Sequence, residues 1–213
     1  MRIPFIAGNW KMYKTISEAR EFACEFKKLY HDTDVRAAIF APYTQLQALK
    51  EELSGSGIGV GAQNVHFEKE GAFTGEISVE MLEELGVDYC LVGHSERRQY
   101  FGETNETVNL KLKALLQSKI LPVVCVGEKL EEREAGKAQS LVSSQVKAAF
   151  SGISGNDACK VTIAYEPVWA IGTGKTATPE QANEMCSCIR ETLTEIYDLS
   201  LIHISEPTRL QLI

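Results

Sequence analysis

The sequence predicts an α/β fold built on a parallel sheet, and three observations lead there. Short runs rich in Val, Ile, Ala and Phe recur along the chain, a segment with helical periodicity follows each of them, and the runs are apolar on both faces. Strands covered on two sides by helices read this way, because parallel neighbours must be joined by crossovers.

The elements follow in order. The strands are expected at residues 3–8 (IPFIAG), 35–41 (VRAAIFA), 58–62 (IGVGA), 88–92 (DYCLV), 120–126 (ILPVVCV) and 160–165 (KVTIAY). Between and after them, helices are expected over residues 16–31, 44–54, 78–86, 104–118, 130–150 and 178–197. Ser17 and Glu18 are read as opening the first helix, and Thr104 with Thr107 stands near the start of the fourth. Thr178-Pro179-Glu180 opens the sixth with Pro at the first helical position, where a missing N–H costs nothing. Two closures fit such a pattern, an open doubly wound sheet or a (β/α)8 barrel. Six units of about 33 residues each leave the chain two units short of a barrel, which has eight in roughly 250 residues.

The composition narrows the function. With 213 residues, 44% of them apolar, the chain can bury a core, and no linker or low-complexity stretch divides it. The net charge is −7, from 29 acidic and 22 basic residues. That argues against nucleic acid or an anionic membrane as the main partner, while leaving room for a local basic site for a small anion. Cys24, Cys90, Cys125, Cys159, Cys186 and Cys188 are scattered without a C-x-x-C pair, and read as reduced thiols of a cytoplasmic protein. The first residues, MRIPFIAGNWKMYK, reach Asn9 and Lys11 too soon for a signal peptide. No run approaches the roughly 20 apolar residues of a membrane span.

In either closure, chemistry collects at the carboxyl ends of the strands. Asn9-Trp10-Lys11 follows the first strand, Gly93-His94-Ser95-Glu96-Arg97-Arg98 the fourth, Gly127-Glu128 the fifth and Glu166 the sixth. A lysine, a histidine, a glutamate and an amide at these ends can bind an anion and move protons. Pro167, Val168 and Trp169 surround Glu166 with a stiff, apolar setting. A salt-bridged structural carboxylate is the alternative reading. His94 beside Ser95 lacks the G-x-S-x-G elbow of a serine hydrolase. His31, His66, His94 and His203 show no metal-ligand spacing. GTGKT at 172–176 has Trp169 where a nucleotide-binding loop needs its first glycine, so Gly172 and Gly174 read as a hinged loop offering N–H groups to a phosphate.

Taken together, AGNWKMY, GHSERR and AYEPVWAIGTGKTATPEQ closely resemble the triosephosphate isomerase family, from Met1 to about Asp198. That family is itself a reference case for pKa tuning and loop closure, so the roles that follow are what the resemblance implies. It implies a TIM barrel, with the first six βα units in residues 1–198. It makes Glu166 the base that shuttles a proton between adjacent carbons of a triose phosphate. His94 becomes a neutral electrophile, Asn9 and Lys11 become donors to the substrate oxygens, and Glu96 a supporting carboxylate near Lys11. Residues 167–175 resemble a lid with the Gly172 N–H on the phosphate. The stretch 63–78, with Thr74 and Gly75, resembles a loop that reaches into a second subunit, which implies a homodimer. No cofactor or metal is required. An aldolase using Lys11 as a Schiff base is a competing reading.

After Asp198 the family would continue through two more units carrying a Tyr-Gly-Gly-Ser turn and a Gly-Gly pair, whereas this chain reads LSLIHISEPTRLQLI. Residues 199–213 are therefore expected to be foreign to the domain. A chain of six units would leave sheet edges open, and is expected to turn over poorly or only to associate with other chains.

Overall fold

A computed structural model describes residues 3–31, 34–171, 173–174 and 176–197. They form two compact units, one of residues 3–92 with 114–122, the other of residues 93–113 with 123–197. The reading of residues 199–213 falls outside the described residues.

The first unit is built from β1 (Phe5–Asn9), α1 (Ile16–Leu29), β2 (Arg36–Ala41), α2 (Tyr43–Glu52), β3 (Gly59–Ala62), α3 (Val79–Glu84) and β4 (Tyr89–Val92). Consecutive strands pair in parallel, with Asn9 opposite Phe40, Ala41 opposite Ala62, and Ala62 opposite Cys90. The register sets Asn9 and the residue after Ala62 at the carboxyl ends of the two strands that flank β2. The strands lie close to their expected spans, because runs apolar on both faces have few other ways to be buried. Phe40, Leu46, Leu49, Val60, Leu82 and Val92 are fully buried. One expectation needs correction. The first helix is capped by Thr15, whose hydroxyl accepts the Glu18 N–H while the Glu18 carboxylate accepts the Thr15 N–H. Ser17 lies inside the first turn, so Thr15 and Glu18, rather than Ser17 and Glu18, open the helix.

The second unit contains α4 (Ser95–Tyr100), most of α5 (Asn105–Leu115), β5 (Leu121–Val126) from Val123 onward, α6 (Leu130–Glu134), α7 (Ala138–Ala149), α8 (Gly155–Ala158), β6 (Thr162–Tyr165), a 3-10 turn (Val168–Ala170) and α9 (Pro179–Tyr197). Strands β5 and β6 pair in parallel, with Val126 opposite Tyr165. The single helix expected over 130–150 is broken in two. Gly136 adopts φ +68, a left-handed conformation that ends α6 as glycine commonly does. Helix α9 opens as the sequence predicts, since the Gln181 N–H donates to the Thr178 hydroxyl and the Thr178 N–H to the Gln181 side chain. It lies along α7, where the Thr192 and Ser143 hydroxyls meet at 3.0 Å and Lys147 pairs with Glu195 at 2.8 Å. Among the described residues, no helix is long and apolar enough to cross a membrane.

Candidate active site

Asn9, the last residue of β1, is buried and holds its side-chain orientation through two hydrogen bonds. Its Oδ1 accepts the Lys11 N–H at 3.0 Å and a Gln63 Nε2–H at 3.1 Å. With Oδ1 so occupied, the donor end of the amide is the end left to meet a ligand. Lys11 has a positive φ of +53, an uncommon conformation for a lysine, and Gln63 Nε2 also lies 2.9 Å from its carbonyl oxygen. Gln63 escaped the sequence reading, although it stands at the carboxyl end of β3 just as Asn9 ends β1. Thr74 and Gly75 sit on an exposed turn, Gly75 at φ +92. The base of that loop is closed by the His66 N–H on the Ile77 carbonyl, and the His66 ring lies 4.4 Å from that of Phe73.

In the second unit the chain leaves the β4 end through Gly93, at φ +76. The Gly93 N–H donates to Glu103 Oε1 at 2.8 Å, and its carbonyl accepts from Arg98 Nε at 2.7 Å. Glu103 is buried and also takes Arg97 at 2.8 Å and Lys111 at 3.2 Å. Burial alone would push its carboxyl up, but the Lys111 ammonium, the Gly93 N–H and Arg97 outweigh it and hold the group below the usual carboxylate range.

Gly93 delivers His94 to the N-cap of α4. There Nδ1 accepts the Glu96 N–H at 3.2 Å, so Nδ1 carries no proton and the ring proton sits on Nε2. Nε2 meets Glu166 Oε1 at 2.8 Å, and Glu166 Oε2 accepts the Ser95 N–H at 3.1 Å. Both side chains are buried, 6% and 8% exposed, which strengthens the interaction relative to one in water. Glu96 itself approaches Nδ1 only to 3.7 Å, beyond hydrogen-bond reach. Helix α4 is not among the helices expected from the sequence, because SERRQY carries no apolar period.

Glu166 follows the last residue of β6, and its N–H donates to the Val126 carbonyl at 2.8 Å. On the adjoining segment a Cβ at Gly127 would overlap the Glu166 carbonyl oxygen, so only glycine fits there. The next residue, Glu128, is fully buried, and its Oε1 gathers Tyr165 Oη at 2.9 Å, Trp169 Nε1 at 2.9 Å and Arg133 Nη1 at 3.1 Å. Burial, followed by the Glu128 charge, raises the Tyr165 phenol and keeps it a donor. Glu128 thus fastens the start of the 167–175 loop. Gly172 and Lys175 lie outside the described residues. Among the described residues, no group of His, Cys, Asp and Glu could hold a metal ion.

The second unit therefore sets a carboxylate against a neutral imidazole N–H, and the first orients an amide beside a lysine. A base next to a neutral donor suits proton abstraction beside a carbonyl. The imidazole N–H faces Glu166 rather than a nucleophilic hydroxyl, which does not make a serine triad.

Comparison with known proteins agrees with this chemistry. A family profile described as "Triosephosphate isomerase" matches residues 4–204. The chain is 51% identical to the triosephosphate isomerase of Alkaliphilus metalliredigens over 211 residues, which is 99% of this chain and 84% of the relative. It is 54% identical to that of Carboxydothermus hydrogenoformans over 198 residues, 92% of this chain and 79% of the relative. The Clostridium botulinum protein of the same name is 50% identical over 211 residues, 99% of this chain and 84% of the relative. With identity at this level sustained across both described units, the chain belongs to the triosephosphate isomerase family.

Proposed function

We propose that Glu166 is the base, His94 the neutral proton donor, and Asn9 and Lys11 the oxygen ligands of a reaction interconverting dihydroxyacetone phosphate and D-glyceraldehyde 3-phosphate. Relatives at about half identity over nearly the whole chain give it triose-phosphate isomerase function, in a (β/α)8 barrel of which six βα units are described. The finer assignment rests on one observation above the others, the buried contact of His94 Nε2 with Glu166 Oε1.

The chemistry follows from that pair. Glu166 takes a proton from the carbon next to the carbonyl, the C–H electron pair becomes the carbon–carbon double bond, and the carbonyl pair moves to oxygen. His94 Nε2–H turns from Glu166 to that oxygen, which frees the carboxylate for the carbon-bound proton. His94 Nε2 gives its proton to that oxygen and takes one back from the hydroxyl on the other carbon, whose O–H pair becomes the new carbonyl as the double-bond pair takes the proton that Glu166 returns to the neighbouring carbon. The enediolate must be kept from water while donors hold its charge. Asn9 and Lys11 supply further donors, and Lys11 balances the phosphate charge. The lid role of residues 167–175 and the phosphate contact of the Gly172 N–H belong to the same proposal, as does Glu96 as a supporting carboxylate near Lys11.

A homodimer joined through Thr74 and Gly75 completes the reading, supported by the exposed turn that carries them. So does a cytoplasmic place in glycolysis and gluconeogenesis, with neither nucleic acid nor membrane as partner. The acidic net charge, and cysteines none of which forms a disulfide, support it. Phosphorus NMR of the protein incubated with dihydroxyacetone phosphate tests the activity. Appearance of glyceraldehyde 3-phosphate supports the reading; an unchanged spectrum at high protein concentration leaves association as the function.

A further inference from the structure

We infer that Gln145, on α7, is a positioning residue for Glu166, acting through the Gly127 peptide that it clamps. The inference rests on the proposed role of Glu166 as base.

Gln145 Oε1 accepts the Gly127 N–H at 2.9 Å, and Gln145 Nε2 donates to the Gly127 carbonyl at 3.0 Å. The side chain is 8% exposed, on a helix face otherwise buried through Val142, Val146 and Ala149. A carboxamide is the side chain that complements both groups of one residue at once. Gly127 needs that service. It stands just past Val126, where β5 ends and the ladder to β6 runs out, so its N–H and C=O have lost their strand partners and must find others.

The consequence reaches the base through contact. Gly127 lies against the Glu166 carbonyl so closely that a Cβ has no room. The Val126 carbonyl holds the Glu166 N–H from the same segment. A rotation of the Gly127 peptide would push the Glu166 backbone and misalign its carboxylate with His94 Nε2. The same peptide leads into Glu128, which fastens Trp169. Helix α7 thus sets the height of the general base and the anchor of the following loop with one amide.

The test compares Gln145→Met, Gln145→Glu and Gly127→Ala with Gln139→Met, a control on the same helix whose side chain reaches Glu184 on the exposed surface. Two readouts are taken, the kcat and KM of the isomerase reaction and the solvent exchange of the His94 Nε2 proton by NMR. Misplacing a reacting group by an ångström costs up to about 100-fold, so Gln145→Met is expected to lower kcat by about 10- to 100-fold with KM within about twofold. It also speeds exchange of the His94 proton. Gly127→Ala, which leaves Gln145 intact, gives the same signature from the other side of the contact. Gln145→Glu keeps the acceptor for the Gly127 N–H, loses the donor, and falls between; it carries the test if Gln145→Met does not fold. A folded Gln145 variant with unaltered kcat and unaltered His94 exchange overturns the inference. If the protein shows no turnover, the proposed function fails by itself, while His94 exchange still decides whether Gln145 positions Glu166.

Discussion

The backbone N–H of Glu96 donates to Nδ1 of His94 across 3.2 Å, and this one bond decides which nitrogen faces Glu166 as a donor. Because the bond comes from the first turn of α4, the tautomer is written into the backbone rather than left to a side chain that can rotate away. Nitrogen-15 NMR of the ring at neutral pH is expected to show an unprotonated Nδ1 and a protonated Nε2. A doubly protonated ring would remove the neutral donor from the account.

Glu103 is expected to carry stability that depends on pH. Its carboxyl is held below the ordinary range in the folded protein, so its contribution is present above the unfolded value near about 4.3 and is lost as pH falls through the folded one. Glu103→Ala removes the buried carboxylate shared by Lys111, Arg97 and the Gly93 N–H and should cost about 3–5 kcal/mol at neutral pH. Urea melts at several pH values check this: the gap between parent and variant should narrow below pH about 4.

The 167–175 loop should loosen when its anchor loses a donor. Trp169→Phe keeps the ring but removes the N–H that reaches the Glu128 carboxylate, a bond to a charged group worth about 1.5–3 kcal/mol. Faster proteolytic cleavage within the loop, at unchanged cleavage elsewhere, is the expected outcome. Equal cleavage rates would show that Glu128 does not hold the loop.

A charge at the exposed turn should disrupt the proposed dimer. Thr74→Arg is expected to sediment as a monomer at concentrations where the parent is a dimer. A variant that still dimerises would place the interface elsewhere.

Much of this was legible in the sequence, for reasons particular residues make plain. The strand ending in Asn9 and the strand ending just before Glu166 could be located because apolar runs on both faces admit few alternatives. His94 and Glu166 stood out because titratable groups at strand ends are few. The break at Gly136 was hidden because the residues on both sides of it, Leu130–Glu134 and Ala138–Ala149, are helical, and only the backbone shows the turn between them. Gln63, Gln145 and Glu103 were missed for another reason. Their meaning lies in the peptide groups they satisfy, and those partners are separated from them by up to 52 residues.

Whether Glu166 moves the proton is decided by deuterium exchange. The protein and Glu166→Gln are each incubated with dihydroxyacetone phosphate in D2O, and deuterium on the carbon next to the carbonyl is counted by NMR. General-base catalysis is worth about 100- to 10,000-fold, so the account predicts incorporation by the parent and a loss of that order in a variant whose fold and substrate affinity are kept. Undiminished exchange in Glu166→Gln would assign the proton to another group and contradict the account.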